Sequence, residues 1–310
     1  MKISNDLRGF CEHLVRKFGS PGATSEEQKA EEFRRVYLRN LPLNLKSIRA
    51  IASCCGAELR GLEKMPRNVR GYHEICDGRL NIYYRKDDTV SGIQNTILHE
   101  LREMMETLFS TIEPGYEPLR TSARHLAANR FATAVLLPEE KFKADVFSSG
   151  FDVYGLSQTY SKSASQVLLR MGEVLQSRLF FYGALFEPDD PEGQEWAVTY
   201  WTGSSNEDAE ANVFGLDGLF PKRGRRALPG SLIDLTIKSG KAHLVRRITL
   251  GGPEDFDDGE LVALAVPIVG EATGIEKVAL VVLLSRDVRL LEPQIERINP
   301  EIIESFHRHL

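Results

Sequence analysis

A chain of 310 residues with 42% hydrophobic and 27% charged content has the composition of a soluble globular protein, and it is too long for one typical core, so two or three domains are expected. Its 39 basic and 44 acidic residues leave a net charge of −5, which excludes a global field drawing the chain to nucleic acid but not a small basic patch. The N-terminus has no apolar core of signal-peptide length and nothing approaches a membrane span; the four cysteines lack CxxC spacing and read as reduced thiols in a cytoplasmic protein with no membrane partner.

The N-terminal third reads as helices. Ser25–Leu38 opens on a Ser-x-x-Gln capping box, and Leu45–Cys55 stops at Gly56. Short strand-like runs follow at Ala57–Leu62, Gly71–Ile75 and Arg79–Tyr84, the last two joined by a hairpin signal at Cys76-Asp77-Gly78. Then Ile93, Ile97, Leu101, Met104, Met105 and Leu108 recur every three or four residues, the period of a buried amphipathic helix. Pro114 and Pro118 end it, and helical spacing resumes over Ala123–Leu137 until Pro138. Gly155–Ser177 has the cadence of two helices joined at Ser161-Lys162-Ser163. With Lys162 and Arg170 against Glu173, its charge is only about +1, so packing is favoured over reading of DNA.

Glu187–Glu195 is acidic, rich in Pro and Gly, and reads as a boundary loop. Beyond it, strands at Trp196–Trp201, Ala242–Arg246, Leu261–Val269 and Lys277–Leu284 surround one helix at Ser231–Ser239. This is an α+β pattern with a mostly antiparallel sheet.

The candidate chemistry lies in the most apolar helix. His99 and Glu103 are four residues apart, on one face and one turn from each other, close enough to hold one ion. Glu100 projects beside them, where a carboxylate can take a proton from an attacking water. This is the logic of HExxH with the second His replaced by Glu. Alone, the pattern arises as readily from a solvated helix face. Glu106 lies on the same side and is expected to be solvated. Tyr72, His73, Tyr83 and Tyr84 either line a cleft or serve aromatic packing.

Over roughly residues 45–180, the segments "NTILHELREMMETL", "RHLAANRFATAVLLPEEKF" and "LSQTYSKSASQVLLRMGEVL", with the hairpin before them, resemble the ImmA/IrrE metallopeptidases, which cleave helix-turn-helix repressors. The resemblance implies a zincin-like domain over 1–148 and a helix-turn-helix-like segment over 149–185. It also implies that Arg79–Tyr84 is an edge strand, able to bind an extended substrate. In that family a Glu four residues before the Asn of the AN-x-FA block completes the metal site. Here that position is His125, four before Asn129. The second ligand has become Glu103 and the third His125, so the inventory is still two imidazoles and one carboxylate, a set used by catalytic zinc. The implied function is a zinc-dependent endopeptidase (Mn2+ or Fe2+ being admissible) with Glu100 as base, cleaving a helix-turn-helix repressor in a stress or regulatory response. The competing function is a catalytically inactive member that regulates transcription by binding DNA or a repressor.

Residues 186–310 resemble a GAF domain more loosely, through "LPGSLIDLTIKSGKAHLV", "ELVALAVPIV" and "KVALVVLLSRD". This implies a sensor-like α/β domain, with dimerisation or docking as the alternative role.

Overall fold

The structure, a computed structural model, describes residues 6–39, 41–66, 69–76, 79–175, 179–190, 192–203, 223–248, 261–270, 274–288 and 292–304. It divides into two compact units, 1–139 and 140–310, and its class is mixed α+β. Among the described residues no helix is long and apolar enough to cross a membrane.

In the first unit, α1 (Leu7–Phe18), α2 (Glu26–Phe33, continued by a wider turn over Arg34–Leu38) and α3 (Leu45–Cys54) precede β1 (Ala57–Leu62), β2 (Gly71–Cys76) and β3 (Arg79–Arg85). Helices α4 (Val90–Ile112) and α5 (Thr121–Leu136) complete it. The capping box forms as expected: Gln28 N–H donates to Ser25 Oγ and Ser25 N–H donates to Gln28 Oε1 at 3.0 Å. Thr89 caps α4 by accepting from Gly92 N–H at 3.0 Å. From that start, Ile93, Ile97, Leu101, Met105 and Phe109 bury one stripe of α4 against the unit's core. Phe33 meets Phe10 and Phe131 edge-on, with centroids 5.5 and 5.4 Å away, which ties α1, α2 and α5 together.

The three-stranded sheet has the order β1-β3-β2, β1 parallel to β3 and β2 antiparallel to it. This corrects one expectation. The strand Arg79–Arg85 is central, paired on both sides, and cannot offer an open edge; the edge beside α4 belongs to β2. The hairpin fixes β2 on one flank of β3, and parallel pairing with β1 fills the other. The turn signal Asp77-Gly78 lies outside the described residues.

In the second unit, α6 (Glu139–Ser148), α7 (Val153–Tyr160) and α8 (Ala164–Leu175) lead into β4 (Phe181–Pro188) and β5 (Trp196–Gly203). Then come α9 (Leu232–Ser239), β6 (His243–Ile248), β7 (Leu261–Val269), β8 (Ile275–Leu284), the short α10 (Ser285–Val288) and α11 (Glu292–Glu296), and β9 (Glu301–Ile303). The sheet order is β5-β4-β8-β7-β6-β9, antiparallel except for β6 with β9. Tyr182, Ala184, Phe186, Val198, Ala263, Ala265, Leu280 and Val282 form one apolar face, covered by Leu232 and Ile233 of α9. The α7–α8 junction turns at Ser161, whose φ of 52° is left-handed.

Helix α8 lies on β4 and β5. The approach is close: a Cβ at Gly172 would come within 2.6 Å of Thr202 Oγ1, and one at Gly183 within 2.9 Å of Leu168 Cδ2. Lys162 and Arg170, the cations a phosphate contact would need, are both buried. One face of the helix-turn-helix cadence is thus packed on the sheet.

Two buried carboxylates in the first unit set its acid sensitivity. Glu32 accepts from Arg35, from Lys17 Nζ at 2.7 Å and from His13, and the Arg35 bonds, joined by those of Lys17 and His13, hold its carboxyl far below the usual range. Glu106 is fully buried. Burial pushes its pKa up, but bonds from Tyr116, Leu119 N–H and Arg102 outweigh that and leave it depressed. Both pKa values fall on folding, so the stability they supply is fully present above the ordinary value of 4.5, declines below it and is lost as pH falls on through the depressed folded values. Thermal scans between pH 7 and pH 3 are expected to show the first unit losing stability below about pH 4.5. An unchanged melting temperature down to pH 3 would contradict that.

Candidate metal centre

Helix α4 supplies His99, Glu100 and Glu103, and α5 supplies His125 and Asn129. Packing of α4 on α5 brings the sequence-expected donors together. His99 Nε2 lies 3.1 Å from Glu103 Oε1, His125 Nδ1 is 2.5 Å from the same oxygen, and the two imidazole nitrogens are 3.4 Å apart. Their rings stack at 22° with centroids 5.6 Å apart. A tetrahedral ion with bonds of about 2.0–2.1 Å holds its donor atoms about 3.3 Å apart. Two of the three separations match that value, and the third needs only a small opening at His125, whose side chain is 56% exposed.

The protons sharpen the point. His99 Nδ1 lies 2.9 Å from the Asn129 carbonyl oxygen and therefore donates to it, which leaves Nε2 of the neutral ring with a lone pair. That lone pair faces the Glu103 carboxylate. A nitrogen lone pair and a carboxylate oxygen facing each other are two donors placed to share one cation. Arg124 offers a partial alternative: its Nη2 donates to the Glu103 carbonyl at 2.9 Å and its Nε stands 3.6 Å from Glu103 Oε2.

Glu100 does not join this triad directly. Its carboxylate, 9% exposed, accepts from His73 Nδ1–H on β2 at 2.7 Å. His73, Glu100 and Glu103 form a second set of converging donors, so Glu103 stands at the junction of both sets. His73 was one of four aromatic candidates on the sequence, with nothing in its spacing to single it out. Asn129 was legible as a motif residue, but its bond to His99 was not.

The other candidates go elsewhere. Tyr72 and Tyr83 stack on each other, centroids 4.6 Å apart, and Tyr72 alternates with His73 and so points to the opposite face of β2. Tyr84 is buried and accepts from Arg49 at 3.1 Å. Glu106 is not solvated. Arg102 Nη1 donates to it at 2.8 Å, Leu119 N–H at 2.8 Å, and the Tyr116 hydroxyl also donates to it. Arg102 in turn grips Glu26 with two bonds of 2.7 and 2.8 Å, and Lys29 donates to Glu26 at 2.7 Å. This buried network fastens α2, α4 and the segment leading into α5, the helix that carries His125.

No known protein-family pattern matches the chain, and no curated protein does. Among solved structures, a Mycobacterium tuberculosis transcriptional regulator is similar to it, with a TM-score of 0.56 at 11% identity, over 96% of this chain and 88% of that one. At that identity the likeness speaks for the fold alone.

Proposed function

We propose that the first unit is a metal-dependent endopeptidase of the ImmA/IrrE, zincin-like kind, acting on a helix-turn-helix repressor, and that residues 186–310, within the second unit, form a GAF-like regulatory module. The observation that carries this reading is the convergence of His99 Nε2, Glu103 Oε1 and His125 Nδ1 within 3.4 Å. Two imidazoles and a carboxylate suit Zn2+, and the carboxylate also admits Mn2+ or Fe2+. An ion held there would supply Lewis acidity, polarising the scissile carbonyl and acidifying water. Glu100 accepts the proton of the attacking water and returns it to the leaving amine. An extended substrate segment adds to the outer edge of β2 by main-chain hydrogen bonds, β2 being paired only with β3 among the described residues.

A second reading has its own support. Arg124 and His125 already give Glu103 polar partners without a metal, and the similar solved structure is named a transcriptional regulator. On that reading the protein is a catalytically silent regulator that binds a repressor. Burial of Lys162 and Arg170 speaks against DNA contact through α8.

Metal analysis of the purified full-length protein separates the two. The peptidase reading expects about one divalent ion per chain and its loss in both His99→Ala and His125→Ala. The double exchange Glu103→His with His125→Glu should hold metal better than either single exchange, since it alone keeps two imidazoles and one carboxylate. Full occupancy in His125→Ala would remove that residue from the ligand set; a metal-free wild type would favour the silent regulator.

A further inference from the structure

The geometry points to His73 as a positioning residue that fixes the orientation of the Glu100 carboxylate, an inference that rests on the peptidase reading above. Glu100 sits on a buried stretch of α4, where an unpartnered carboxylate is costly and free to turn. His73 Nδ1–H meets its Oε2 at 2.7 Å. With one oxygen held, the carboxylate is locked in rotation, and the other oxygen is the one left to face a substrate water.

This contact is built in by the way β2 meets α4. A Cβ on Gly71 would come within 2.2 Å of Thr96 Cγ2 and 2.6 Å of Tyr83 O, so a side chain at position 71 would force the strand off the helix. Two residues along the strand is a step of about 6.6 Å on the same face. Four residues along the helix is a step of about 6 Å, again on the same face. Gly71 against Thr96 therefore delivers His73 to Glu100. Its register partner on β3, Ile82, projects to the same face and is fully buried, so the side of the strand pair that carries His73 is fixed. His73 consequently has little freedom to turn elsewhere, and its side chain is 17% exposed.

A residue that merely fills space would serve folding but not the proton-accepting oxygen. Acetohydroxamate distinguishes the two roles, because its hydroxyl proton must pass to the neighbouring base when it binds a metal centre. Full-length protein is loaded with Co2+ and titrated with acetohydroxamate, read by the visible absorption of the cobalt. Glu100→Gln serves as the reference for a lost base. His73→Leu should keep its Co2+ yet bind acetohydroxamate at least roughly tenfold more weakly, and His73→Asn, whose side-chain N–H reaches the same point, should restore most of the affinity. Unchanged affinity in His73→Leu overturns the proposal. Loss of Co2+ in His73→Leu also overturns it, making His73 a ligand. Should His73→Leu fail to fold, His73→Asp against His73→Asn decides: the Asp variant has the same size and no donor, and equal affinity in the two overturns the role. A wild-type protein that takes up no Co2+ sinks the peptidase reading itself, an outcome distinct from the others.

Discussion

Glu100→Gln is expected to retain the metal and to lower repressor cleavage by about 10²- to 10⁴-fold, the usual contribution of a positioned general base. The reason for separating these effects is geometric. The donors that converge are His99, Glu103 and His125, while the Glu100 carboxylate is turned to His73 and is absent from the triad's short contacts. Glutamine keeps the size and can still accept from His73 through its carbonyl, so little beyond the basic oxygen is lost. The measurement is co-incubation of wild type and variant with helix-turn-helix repressors, with and without added Zn2+, following one defined cut, alongside metal analysis of both proteins. Cleavage by the variant at a rate near wild type would take Glu100 out of the mechanism. Loss of metal instead would make Glu100 a ligand and favour the second donor set around His73.

Arg102→Ala is expected to destabilise the first unit by about 3–5 kcal/mol. The guanidinium is 1% exposed and lies between Glu26 and Glu106. Burial alone would lower its pKa, but bonds and charge from the two carboxylates outweigh this and hold it above its ordinary value. Deleting it leaves the fully buried Glu106 carboxylate without its cation, and Glu26 keeps only Lys29 from this network. The choice of probe matters. Both tryptophans, Trp196 and Trp201, lie on β5 in the second unit, so their fluorescence reports on that unit. Urea titration followed by circular dichroism should show an earlier transition in the variant, with the tryptophan transition comparatively unmoved. A variant that unfolds with the wild type would mean that the network contributes nothing net.

What the sequence made readable was local. The Ser25 cap, the short strands β1 to β3, the apolar stripe of α4 and the helix junction at Ser161-Lys162-Ser163 are each set by residues within a few positions, and each formed where expected. Strand β4 was not legible, because Phe181–Phe186 is buried on both faces and shows no alternation; the boundary loop expected from Glu187 begins inside it. Strand order was hidden for a different reason. Period and turn chemistry place β2 next to β3 but say nothing of β1 on the far side, and so a central strand was read as an edge. At the centre itself, helical spacing gave His99 and Glu103, and resemblance alone gave His125. The bond from His73 depends on how a strand docks on a helix, and the fate of Glu106 depends on Arg102 reaching across to Glu26. Arg102 and Glu106 stand at i, i+4, which spacing does show, but the docking of His73 and the reach of Arg102 to Glu26 leave no such trace.

The three donors differ sharply in exposure: His99 and Glu103 at 15% and 10%, His125 at 56%, on the exposed early turns of α5. On the peptidase reading this asymmetry governs exchange kinetics. His99 and Glu103 would form the buried floor of the site on α4 and His125 its solvent-facing ligand, so an ion would enter and leave past His125 rather than through the core. Turning one exposed side chain would require no unfolding, in contrast to a closed structural site, where release and denaturation are the same event. Occupancy would then follow the free metal concentration promptly, and the supply of metal ion would itself set how much of the protein is competent at any moment.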